Sequence, residues 1–264
     1  MHYRIILIFL IVHSNVLFAQ GQKNDWEKSN LKGKVKTIEI NTFQPFNGNI
    51  NDLRTNDYNK LTRHFNKDGN ETQFISGGSN VKNISIYNKQ GLKTEFKLVR
   101  DTTTISYVKY FYNNEGKRIK AIDYSSNGKI TGTFKYEYEK NKAKRITKKY
   151  TVVEEFDENG FKIRETKLNY GKSIFYDYEY TRDEFGNLIE QKTLWSNGSL
   201  KEIRVFKYNK HHDVIEEKNT FGSLKNHQQY VYYVYDEKGN WIERKLIENG
   251  KLFRKKIRKI KYYK

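Results

Sequence analysis

One stretch constrains the fold more than any other: Tyr235-Asp236-Glu237-Lys238-Gly239-Asn240-Trp241-Ile242-Glu243-Arg244. Variants of it recur along most of the chain. Each has an aromatic, an Asp or Asn, two variable residues, a Gly and then a strand-like run. The fuller copies are Phe65-Asn66-Lys67-Asp68-Gly69, Tyr87-Asn88-Lys89-Gln90-Gly91, Tyr112-Asn113-Asn114-Glu115-Gly116, Phe156-Asp157-Glu158-Asn159-Gly160 and Arg182-Asp183-Glu184-Phe185-Gly186. Tyr138-Glu139-Lys140-Asn141-Lys142 and Tyr208-Asn209-Lys210-His211-His212 lack the Gly. Successive copies start 18 to 27 residues apart. Such a period marks a repeat architecture whose units share a core with their neighbours.

The conserved spacing within each copy is that of a hairpin turn. Asp or Asn at the first turn position bonds its side chain to the backbone two residues on. Gly at the fourth supplies the positive φ that closes a type I turn with a bulge. A second turn falls midway through most copies, at Ser126-Asn127-Gly128, Tyr170-Gly171, Ser196-Asn197-Gly198 and Glu248-Asn249-Gly250. Each copy therefore predicts two antiparallel strands, roughly 16 in all. Tyr176, Tyr178 and Tyr180 alternate on one face, as do Phe134, Tyr136 and Tyr138.

These strands predict an all-β chain: an antiparallel hairpin meander curled into a strongly twisted single sheet or an open roll, because flat sheets rarely exceed ~10 strands. The Lys-rich final strand, Lys251 to Lys264, is expected to be an edge, where charge blocks further pairing. Residues 43–59, rich in Asn and holding the only proline, read as a long loop. Composition supports a thin sheet over a deep core. Hydrophobic residues make up 36% of the chain, and 21 of its 264 residues are Tyr, whose ring can be buried while its hydroxyl stays wet.

Residues 1–19 read as a signal peptide, with His2 and Arg4 before the apolar run Ile5–Val12 and a cleavage site after Ala19. Residues 20–30 read as a flexible polar leader, and 31–264 as one β-repeat domain with about eight repeats from residue 60 on. Export follows: the protein is expected in the periplasm, on the outer surface or secreted, with no transmembrane segment after signal removal.

The turn cores resemble the tyrosine–aspartate (YD, or RHS) repeats, as in Tyr235-Asp236-Glu237-Lys238-Gly239-Asn240 and Asp183-Glu184-Phe185-Gly186-Asn187-Leu188. The resemblance covers about residues 60–250. It implies β-hairpin sheets, which in large members wrap into a shell around a toxin domain, and it carries an association with carbohydrate. Eight repeats are too few for such a shell, and no toxic domain follows the last. The opening Leu31-Lys32-Gly33-Lys34-Val35-Lys36 is similar to that of small secreted repeat proteins of Gram-negative bacteria.

Chemistry-bearing motifs are sparse. The chain has no Cys, hence no disulfide or thiolate site. His64, His211, His212 and His227 read as exposed, and Asp157–Gly160 as a turn whose later calcium ligands are missing. Glu154-Glu155 and Glu216-Glu217 are adjacent on strands, so each pair splits between faces. No catalytic residue, metal site or cofactor is expected; a glycoside hydrolase is the minor alternative.

Two features point to binding. A net charge of +19 favours polyanions, although AT-rich codon usage would produce the same Lys and Asn excess. The basic run Arg254, Lys255, Lys256, Arg258, Lys259 and Lys261 is the candidate anion-binding surface. Tyr176, Tyr178, Tyr180, Tyr230, Tyr232 and Trp241 are the candidate ligand face. The expected partner is an envelope polysaccharide or other polyanion; nucleic acid is not expected. The alternative is a protein-interaction module, such as a partner or immunity-type protein of a secreted effector.

Overall fold

A computed structural model of the protein describes residues 23–78, 80–169, 173–221, 224–248 and 250–264, with the backbone only at 224–228. The signal peptide, the turn at 170–172, Asn249 and the side chain of His227 lie outside the described residues. A short helix, α1 (Asp25–Lys28), precedes nineteen described strands. The first two are β1 (Val35–Phe46) and β2 (Asn49–Arg54). There follow β3 (Lys60–Phe65), β4 (Glu71–Ser76), β5 (Val81–Tyr87), β6 (Lys93–Arg100), β7 (Thr103–Tyr112) and β8 (Arg118–Ser125). The middle of the chain gives β9 (Ile130–Glu139), β10 (Lys142–Ile146), β11 (Tyr150–Phe156), β12 (Lys162–Asn169), β13 (Ser173–Arg182) and β14 (Leu188–Leu194). The last are β15 (Leu200–Tyr208), β16 (Val214–Phe221), β17 (Leu224–Tyr235), β18 (Trp241–Glu248) and β19 (Lys251–Tyr262).

The strands close. β1 pairs antiparallel with β3 on one side and with β19 on the other, giving an 18-strand antiparallel barrel among the described residues. Neither the open roll nor the twisted single sheet forms. The physical reason lies in the turns. Nearly every ladder shifts register by one residue, and the shift often sits beside the repeat turn, as at Phe111/Tyr112 and Val234/Tyr235. Each bulge bends and twists its strand, and the bends accumulate until the ends meet. Eight repeats suffice for closure once β1, upstream of the first repeat, supplies the joining strand.

Closure also removes the expected edge. Lys251 to Tyr262 pairs with β18 on one side and β1 on the other. The expected loop at 43–59 is largely ordered too. β1 runs on to Phe46, turns through Asn47 and Gly48, and returns as β2, which among the described residues pairs only with the end of β1. Asn141 also departs from the consensus: it sits in a two-residue turn between Glu139 and Lys142, which pair directly. His212 does take the glycine-like φ, at 62°.

The repeat turns behave as the spacing demands. Asp236 Oδ1 accepts from the backbone N–H of Lys238 and Asn240, and Gly239 has φ 81°. The repeat tyrosine has a further role. Its hydroxyl donates to a backbone carbonyl two residues past the glycine of the preceding copy: Tyr87 to Glu71 at 2.9 Å, Tyr112 to Lys93 at 2.6 Å, Tyr138 to Arg118 at 2.7 Å and Tyr208 to Leu188 at 2.8 Å. Arg182, which replaces the aromatic in its copy, reaches the equivalent carbonyl of Lys162. These copies are latched to the one before them; Tyr235 instead donates to Asp213 and accepts from Asn209, and Tyr233 donates to the Val214 carbonyl.

Alternation of burial separates the two walls. Along β9, Phe134, Tyr136 and Tyr138 are covered, while Thr133 and Lys135 are exposed. Register carries the covered face around the ring, and this crowded, concave face is the inner one. Apolar packing there is local. Tyr110, Ala121 and Tyr136 cluster with Phe96, Val108 and Phe134 on neighbouring strands. Leu31, Val35, Ile38 and Phe65 form a second cluster with Trp26 and Ile260. Within the 20–30 leader, α1 thus folds onto the rim, held by a capping box at Asn24 and by Trp26 Nε1 donating to Val35. A barrel this wide is not filled by one layer of side chains; inward Tyr176, Tyr178 and Tyr180 are only half-buried.

Candidate anion-binding site

The alternation of β19 divides the basic run in two. Arg254, Lys256 and Arg258 belong to the inner face, whereas Lys255, Lys259 and Lys261 belong to the outer one. On β18, Arg244 lies directly across the ladder from Lys256 and joins the inner set. The two sets have different surroundings. Outside, Lys255 and Lys245 share Glu243 at 2.9 and 3.4 Å, Lys261 approaches Glu39 at 3.7 Å, and Lys259 stands opposite Glu39. Inside, no described carboxylate forms an ion pair with Arg244, Arg254, Lys256 or Arg258.

Aromatic rings take the place of counterions. The Arg258 guanidinium lies 3.3 Å from the centroid of Trp241, and that of Arg244 5.9 Å from Tyr233. Such stacking holds a guanidinium flat and leaves its N–H edge available. The buried Nε atoms of Arg254 and Arg258 have no hydrogen-bond partner. The electrostatic consequences are large. Burial, and then the guanidinium of Arg63, lower the Arg258 pKa to about 9. Burial, and then Arg244, Arg254 and Arg258, lower that of Lys256 to about 8. Asp213 acts on Arg258 in the opposite direction, yet none of the four cations is ion-paired to a described carboxylate, and such a cluster attracts anions.

The proposed aromatic face is also divided. Tyr176, Tyr178 and Tyr180 line the inner wall, with centroids 4.8 and 6.3 Å apart. Tyr230 and Tyr232 point outward, at 41% and 60% exposure. Trp241 is inward but buried under Arg258, so it supports the cation cluster and offers no free ring face.

Beside the Tyr row, Glu154 and Glu165 stand directly opposite one another on β11 and β12. The sequence alone specifies no facing carboxylates. These two do face, but Lys162 Nζ bonds both, at 3.1 Å to Glu154. Tyr176 donates to Glu165 at 3.0 Å. Burial pushes the Glu154 carboxyl up, with Lys162 opposing it. Burial also acts against the Glu165 charge, but Lys162 and Tyr176 outweigh it and hold that carboxyl down. The ammonium fills the gap that a glycosidic oxygen would need between two catalytic carboxyls.

The histidines are less exposed than expected. His211 stacks on Tyr235 at 4.1 Å, and His212 meets Asn187 at 3.0 Å. Asp157 Oδ1 accepts from Asn159 and Phe161, as a turn former does. Of the inner cluster, Arg244 was the residue missed. Its parity was readable, but its pairing with Lys256 depends on a bulge between Leu246 and Ile247.

No protein-family model matches the chain, and no curated protein does. Among solved structures, a porin-like protein from Bacteroides uniformis is similar at 10% identity and TM-score 0.36, over 87% of this chain and 99% of that one. The TcdB2-TccC3-Cdc42 complex is similar at 10% identity and TM-score 0.34, over 76% of this chain and 16% of that one. The Photorhabdus luminescens Tc holotoxin pore gives 10% identity and TM-score 0.30 over the same shares. These likenesses are loose.

Proposed function

We propose that the protein is an exported, non-enzymatic β-barrel of the cell envelope that holds a polyanionic or acidic glycan ligand against its inner wall. One observation carries this reading: on the same two strands, outward Lys245, Lys255 and Lys261 are ion-paired to carboxylates, while among the described residues the inward cations form no ion pair. Burial works against the charges of Lys256 and Arg258, neither of which is ion-paired, and that costs stability. A bound polyanion supplies the missing charge, and the half-buried Tyr176–Tyr180 row offers rings on which sugar faces can stack.

The test is equilibrium binding of polygalacturonate, lipopolysaccharide and polyphosphate, with dextran as the neutral control. The acidic ligands are expected to bind with steep salt dependence, and Arg254→Gln with Arg258→Gln to weaken them at least about tenfold. Absence of binding to every acidic ligand at low salt would overturn the reading.

A second reading has its own observation. Tyr230, Tyr232 and Val234 form an exposed outer strip, at 41%, 60% and 51%, of the kind a protein partner covers. A stoichiometric partner lost on Tyr232→Lys, with polyanion binding absent, would favour an interaction module.

A further inference from the structure

Within the inner cation cluster one group differs chemically from the rest. Guanidinium groups stay protonated and do not act as nucleophiles in water. Lys256 is an amine. Arg244 faces it across the ladder from β18, and Arg254 and Arg258 flank it two residues away on β19. From β1 it meets Thr42 opposite and Ile40 beside, neither of them charged. Arg63 on β3 acts on Arg258 and is itself paired with Glu71.

Burial and the three guanidiniums hold the ammonium near pH 8. On the order of a tenth of the amine is then neutral at pH 7, against well under a thousandth for an ordinary lysine. A neutral amine beside fixed cations is the arrangement that activates a lysine towards carbonyl carbon.

We propose that Lys256 is a nucleophilic amine that condenses with the carbonyl of an anionic aldehyde or keto acid held by Arg244, Arg254 and Arg258. This rests on the reading that the inner wall takes anions, and it adds a covalent step. The lone pair of Nζ adds to the carbonyl carbon, and the oxygen takes up the proton that the nitrogen loses. The resulting carbinolamine expels that oxygen as water, leaving an imine. Amine plus carbonyl gives imine plus water, so no oxidant or reductant is consumed. The arginines grip a carboxylate or phosphate by paired N–H donors and hold the carbonyl beside the amine. The reducing end of an acidic saccharide, in its open-chain form, has this chemistry.

The probe is pyridoxal 5′-phosphate added to the intact protein, trapped with sodium cyanoborohydride and mapped by peptide mass spectrometry. Lys255, Lys259 and Lys261 are internal controls, because they lie on the same strand and face outward. Lys256 is expected to be modified at least about tenfold faster than any of the three. The preference should shrink with unphosphorylated pyridoxal and with added inorganic phosphate, and Lys256→Arg should abolish the adduct. Labelling of Lys256 no faster than its outward neighbours would overturn the proposal. If Arg254-dependent polyanion binding persists in that case, only the covalent step fails; if it is also absent, the anion-binding reading of the wall fails with it.

Discussion

Arg244 and Lys256 stand directly opposite each other across the β18–β19 ladder, both on the inner wall and neither with a described carboxylate. Like charges in that position destabilise a sheet, by roughly 0.2–1 kcal/mol. Lys256→Glu puts an opposite charge beside three arginines. The urea midpoint is expected to rise by the equivalent of about 0.5–1 kcal/mol, while affinity for acidic polysaccharide falls. A variant that is less stable and binds as before would make the cluster a packing feature.

The same lysine gives the barrel a pH dependence of definite sign. Its folded pKa, about 8, lies below the ordinary lysine value. Between those values the unfolded chain binds more protons than the folded one, so stability rises with pH. Below about pH 8 the full cost of the crowded ammonium is present. Denaturant titrations from pH 7 to 10 should show wild-type stability climbing relative to Lys256→Met. Parallel curves for the two proteins would remove the effect from Lys256.

Much of this arrangement was legible in particular residues. The Asp–x–x–Gly spacing gave the hairpins, and strand alternation separated Glu154 from Glu155 as the ladders do. The same alternation, applied to β19, splits Arg254 from Lys255, whereas Tyr178 of β13 and Tyr232 of β17 are separated only by the registers of the ladders between them. Other features were beyond local pattern. One bulge, between Leu246 and Ile247, decides that Arg244 meets Lys256 and not Lys255. Closure depends on the sum of such bulges and on Ile38 and Ile40 of β1 finding Ile260 and Arg258 of β19. No short window contains that sum.

The tyrosine latch separates hydroxyls that reach a carbonyl of the preceding repeat from those exposed on the outer wall. Tyr112 donates to the Lys93 carbonyl at 2.6 Å and Tyr208 to that of Leu188 at 2.8 Å. Removing a part-buried hydroxyl leaves a carbonyl unpaired, at about 1 kcal/mol. Tyr112→Phe and Tyr208→Phe should each lose about that much in urea unfolding, and their effects should add, because the sites are far apart. Tyr232→Phe, exposed on the outer wall, should stay within about 0.5 kcal/mol of wild type. Equal effects at all three positions would mean that the latch contributes nothing beyond ring packing.

The outer wall bears on where the barrel can reside. A membrane-spanning barrel presents an apolar band of ~25 Å to lipid. Here the outward positions hold ion pairs around the ring: Lys97 with Glu95, Lys135 with Glu137, Lys142 with Glu155, Lys192 with Glu190, Lys207 with Glu216 and Lys245 with Glu243. Asp177, only 3% exposed, is gripped from the outer face by Arg164 through two nitrogens. Each Lys or Arg moved to the bilayer midplane costs about 2–4 kcal/mol, and exposed apolar residues such as Ile86 and Val205 stand among these ion pairs without removing that cost. The mature chain is therefore expected to stay in the aqueous phase on detergent phase separation and to leave dye-loaded vesicles intact. Recovery in the detergent phase, or vesicle leakage, would show that lipid reaches this wall and that the ion pairs rearrange on insertion.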